Sequence, residues 1–92
     1  MNGIVGGWTL ANFEAVNLPE EVAAAFKAAI KKLLGATYTP VLYCGCQVVK
    51  GINYMILCEQ KLSDPAGTRH LVKMIINSFQ GQCDVVSIET IL

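Results

Sequence analysis

Charge is scarce in this 92-residue chain: 15% of its residues are Asp, Glu, Lys or Arg, and seven acids offset seven bases to a formal net charge of +0. No basic stripe breaks that balance, so nucleic-acid binding loses its electrostatic basis. No apolar run approaches the ~18–20 residues that span a bilayer, and the first twenty residues lack a basic head followed by an apolar core. A soluble cytoplasmic protein with no membrane attachment is expected, a secreted form with a removed signal staying open. Internal repeats and low-complexity segments are absent, and nothing reads as a linker. His70 is the single histidine and has no obvious acid partner, so it reads as structural or solvent-exposed.

What is abundant is apolar content, at 53% of the chain with a mean hydropathy of +0.46. That excludes general disorder and requires a core, a partner surface or both. The length suits one domain over residues 1–92. The opening Met1 to Gly7 is glycine-rich and aperiodic, which predicts a flexible arm leading into a strand from Trp8 to about Val16, with Trp8 packed on the sheet edge. Pro19-Glu20-Glu21 is a helix start, since proline suits the first helical position and carboxylates suit the positive end of the helix dipole. Val22, Phe26, Ile30 and Leu33, with Ala25 and Ala29, recur at three- and four-residue steps as one apolar stripe. The spacing predicts a four-turn helix over 19–34, closed by Gly35 as a left-handed cap.

Beyond Tyr38 the period changes to two. Strands are expected over Val41–Val49, Ile52–Lys61, Arg69–Ser78 and Cys83–Leu92, with a tight turn at Lys50-Gly51, a loop at 62–68 and a turn over Phe79–Gln82. Tyr54, Ile56 and Cys58 form a core face, which leaves Met55 and Leu57 outward. One helix and successive antiparallel strands make an α+β fold. Alternate turns of a meander fall at the same end, so the arm, the first turn and the third turn are expected to line one edge. Cys44, Cys46, Cys58 and Cys83 are an even set. Cys44 and Cys46 sit two apart on a strand and should share one face, which favours free, partly buried thiols over disulfides or metal and redox chemistry.

Gln47-Val48-Val49-Lys50-Gly51 matches the Gln-Xaa-Val-Xaa-Gly hairpin of the cystatins, and Ile4-Val5-Gly6-Gly7 matches their apolar-then-glycine leader. With Phe79-Gln80-Gly81 at the second hairpin, the chain resembles the cystatin superfamily over nearly its whole length, the stefin branch in particular. The resemblance implies a cystatin-like antiparallel sheet wrapped around one long helix, and a reversible inhibitor of papain-like cysteine proteases that needs no cofactor or metal. It also implies protease contacts through Ile4, Val5, Gly6 and Gly7, through Gln47, Val48, Val49, Lys50 and Gly51, and through Phe79, Gln80 and Gly81. Glycines allow close approach, valines fill a narrow cleft, and Phe79 supplies a buried aromatic anchor. Gln80 stands where the family usually has proline, which predicts a less pre-organised second hairpin. A non-inhibitory module using another surface of the same scaffold is the alternative. No enzyme is expected, because no nucleophile and base can be paired among Cys44, Cys46 and His70. A monomer is expected, with a domain-swapped dimer formed if the turn at Val48 to Lys50 straightens.

Overall fold

A computed structural model describes residues 8–92. The order is one helix, α1 (Glu20–Ile30), followed by four strands, β1 (Ala36–Val49), β2 (Gly51–Leu62), β3 (Arg69–Phe79) and β4 (Gln82–Thr90). The strands form a single antiparallel sheet in the order β1-β2-β3-β4. This is an α+β meander with the helix on one face.

Alternation decides which face the helix covers. Tyr54, Ile56 and Cys58 on β2 and Val72, Met74 and Ile76 on β3 are all buried, while the residues between them are only half-buried. From the helix, Val22, Ala25, Phe26 and Ala29 close over this face, with Ile30 and Leu33 packed at its margin. The apolar stripe read from the sequence is thus the buried stripe, and Met55 and Leu57 lie on the opposite face, across from Ile75 and Lys73. Fully burying Ile56, Val72, Met74 and Ile76 stabilises the fold by about 1.5–3 kcal/mol per side chain in transfer terms.

The helix is shorter than the 19–34 expected, with 11 residues. Pro19 stands outside it with φ −51° and ψ 149°, although its carbonyl accepts the first helical bond, from the Ala23 amide at 2.8 Å. At the other end the amides of Lys32 and Leu33 reach back three residues, to the Ala29 and Ile30 carbonyls at 3.3 and 3.0 Å. That tightening ends the α-helical ladder. It also leaves Lys32 reaching to β4, where its ammonium donates to the Cys83 carbonyl at 3.0 Å and to Asp84 at 2.5 Å. Gly35 does adopt a left-handed φ of +86°, but at the entry to β1, where its carbonyl accepts the Ser63 amide at 2.8 Å.

The strand expected over residues 8–16 is not formed: residues 8–19 carry no regular structure. Val16 donates to the Pro40 carbonyl at 2.9 Å, and Pro40 has no N–H to return, so a ladder cannot grow there. Trp8 is accordingly 81% exposed instead of packed on the sheet edge. The same proline sits inside β1, which starts at Ala36 and not at Val41, because an edge strand tolerates a residue that cannot donate outward. Two register shifts follow, at Pro40/Leu42 and at Tyr43/Gly45.

Candidate functional site

Two hairpin tips meet at one end of the sheet. The first is built by β1 and β2: Val49 pairs with Gly51 and leaves Lys50 at the apex. The second is built by β3 and β4: Phe79 pairs with Gln82 around Gln80-Gly81. Gln80 and Gly81 have φ of 49° and 77°, and positive values at both central residues are the signature of the two-residue turn whose twist matches the flanking strands. Glutamine at position 80 takes the left-handed conformation that this turn requires, where the family usually has proline.

The tips are joined to each other. Gly51 has φ +86°, and a Cβ at this position would lie 2.3 Å from the Ser78 carbonyl oxygen and 2.8 Å from the Phe79 Cβ. Only a residue without a side chain lets the first turn settle against the end of β3. The Asn77 Nδ2 donates to the Lys50 carbonyl at 3.2 Å and to the Asn53 Oδ1 at 3.0 Å, and the Asn53 Nδ2 donates to the Gln47 Oε1 at 3.4 Å. Three carboxamides on three neighbouring strands thus form a row beneath the tips.

Phe79 is half-buried, and the Lys50 ammonium lies 5.6 Å from its ring centroid. The ring packs at the junction of the two tips instead of being fully enclosed. Val48 is 83% exposed and Val49 43% exposed, so the first tip presents two apolar side chains to solvent. Of the residues expected at the protease contact, Gln47, Val48, Val49, Lys50, Gly51, Phe79, Gln80 and Gly81 are gathered at one end. Ile4, Val5, Gly6 and Gly7 lie outside the described residues.

Ala11, four residues beyond Gly7, is fastened at the other end of the sheet. The Ala11 carbonyl accepts from the Arg69 guanidinium at 2.9 Å. Arg69 is the first residue of β3 and Phe79 the last, so the two stand about 33 Å apart at the usual strand rise. Arg69 is itself held by Glu59, to which its Nε donates at 3.0 Å. Thr68, one residue before, donates both its amide and its hydroxyl to the Asp64 carboxylate, at 2.8 and 2.6 Å. Those bonds hold the Asp64 carboxyl below the usual carboxylate range.

The cysteines are free thiols, as expected, but their burial and facing differ from the expectation. All four are free; Cys44 and Cys46 are exposed, and Cys58 is buried. The register shift between Tyr43 and Gly45 inserts Cys44 as an extra residue, which breaks the alternation that would have put both thiols on one face. Burial pushes the Cys58 thiol up to about 12, so it is no nucleophile at neutral pH. His70 Nδ1 lies 3.1 Å from the Leu92 carbonyl, a structural contact. Among the described residues, no group of three or more His, Cys, Asp or Glu side chains could hold a metal ion, and no helix is long and apolar enough to cross a membrane.

Sequence reasoning missed Asn53 and Asn77. Amides are poor strand formers, and their presence three residues after Lys50 and two before Phe79 was the available signal. A turn centred on Lys50 sets Gln47 opposite Asn53 by symmetry; the third member of the row needed the β2–β3 register. No family model, curated protein or solved structure matches this chain.

Proposed function

We propose that the ridge formed by the two hairpin tips is the working surface of a cystatin-like protein, and that it inhibits papain-like cysteine proteases reversibly by entering their active-site cleft. The observation that carries this reading is the junction of the tips: the Gln47–Gly51 turn and the Phe79–Gly81 turn share one end of the sheet and are tied by Asn77 and by the glycine contact at Gly51. A narrow ridge bearing exposed valines suits a narrow cleft with apolar walls. Its backbone is already ordered by ladder bonds on both sides, so little conformational entropy is lost on insertion. The tight turns present no extended segment for a protease to cut.

Titration of papain activity with the purified protein tests this directly. Loss of activity at near-stoichiometric inhibitor is expected. Val48→Asp, placed where the side chain is solvated in the free protein, should raise the inhibition constant by about 100-fold with unchanged thermal stability. The leader contacts that the resemblance implies, through Ile4, Val5, Gly6 and Gly7, are tested by removing residues 1–7: a raised inhibition constant supports them, and an unchanged one restricts the contact to the two tips.

The fastening of Ala11 at the far end of β3 favours a second reading, a non-inhibitory binding module on the same scaffold. Full papain activity in the presence of excess protein selects it.

A further inference from the structure

Lys50 is the only charged side chain in the two tips, whose other residues are Gln47, Val48, Val49, Gly51, Phe79, Gln80, Gly81 and Gln82. Both ends of this lysine are positioned. Its carbonyl accepts from Asn77 at 3.2 Å, and its ammonium stands over the Phe79 ring at 5.6 Å from the centroid. An aromatic face holds a cation without cancelling its charge. Nothing else at the ridge cancels it either: among the described residues the ion pairs are Lys32–Asp84, Arg69–Glu59 and Lys73–Glu89. Asp84, the acid nearest the tips in the chain, is already occupied by Lys32 at 2.5 Å and by the Gln82 amide at 3.0 Å.

We infer that the ridge carries a pre-placed cation that selects, among papain-like proteases, those with carboxylates on the rim of the cleft. This rests on the inhibitory reading above. A charge entering a cleft loses much of its hydration, and a carboxylate rim restores what water supplied, whereas a basic rim adds repulsion to the loss. The ring and the Asn77 bond reduce the side-chain ordering that a solvated lysine would undergo on docking. The remaining contacts of the ridge are apolar or uncharged, so discrimination by charge falls on Lys50 alone.

The experiment compares inhibition constants of the wild-type protein, Lys50→Gln and Lys50→Glu against two papain-like proteases, one with an acidic and one with a basic cleft rim, at low and high salt. Thermal melting confirms that each variant is folded. The wild type should favour the acidic-rim enzyme. Lys50→Gln should reduce that preference by about 10-fold and Lys50→Glu should reverse it, with the wild-type association rate on the acidic-rim enzyme falling as salt rises. Inhibition of both enzymes with a ratio that neither variant moves overturns the charge selection and leaves the inhibitory reading standing. Failure of the wild type to inhibit either enzyme overturns both.

Discussion

The two ends of the sheet use similar residues in opposite ways. At the far end, polar side chains are consumed internally: Asp64 takes two bonds from Thr68, Glu59 takes the Arg69 guanidinium, and Arg69 also reaches the Ala11 carbonyl. At the tip end, the amide row of Gln47, Asn53 and Asn77 fixes the backbone, while Val48 and Lys50 are left facing water. One end fastens the chain and the other presents it. The difference shows that an exposed apolar residue is informative when the backbone beneath it is held, since holding it exposed gives up the stability its burial would bring.

The strongest way to break the comparison is Gly51→Ala. The new Cβ would press on the Ser78 carbonyl at 2.3 Å in a backbone conformation with φ +86°, so the tips must separate. A loss of about 2–4 kcal/mol in urea unfolding is expected, accompanied by weaker papain inhibition. If stability falls with inhibition intact, the tips do not work as one ridge.

Arg69→Ala tests the fastening end and should separate the two properties. It leaves the Glu59 carboxylate, whose side chain is 19% exposed, without its partner and frees the Ala11 carbonyl. A destabilisation of about 1–3 kcal/mol is expected, with faster proteolysis of the segment before α1 and unchanged inhibition. Weakened inhibition in this variant would mean that the far end takes part in recognition.

The smallest effect belongs to Asp64. Its folded-state pKa is depressed, first by the Thr68 hydroxyl and then by the Thr68 amide, so it contributes stability above the unfolded carboxyl pKa that is lost as pH falls through the folded value. An NMR titration should find the Asp64 carboxyl below the ordinary range in the wild type and closer to it in Thr68→Val. An unmoved titration would show that the loop is not held by this carboxylate.

Much of the fold was legible in residue order. The apolar stripe from Val22 to Ala29 and the alternation of Tyr54, Ile56 and Cys58 are local patterns with one packing solution, and they became the core. The turn at Lys50-Gly51 was equally plain, because glycine marks where the chain needs a left-handed residue. The strand expected before the helix failed for a non-local reason: its only neighbour offered Pro40, which cannot donate. The helix ended early for a local reason that periodicity does not carry: the Lys32 and Leu33 amides turn back to carbonyls three residues earlier. The shared face of Cys44 and Cys46 was lost to a bulge that no period-two count reveals.

Periodicity and turn chemistry therefore determined that a helix covers an antiparallel meander, and that two tight turns exist, since each depends on neighbours within a few residues. Tertiary structure alone decided that Asn77 ties one turn to the other, that Phe79 lies beneath Lys50, and that Ala11 is held at the far end. Those contacts join residues 27, 29 and 58 positions apart, and only the sheet register brings such pairs within reach.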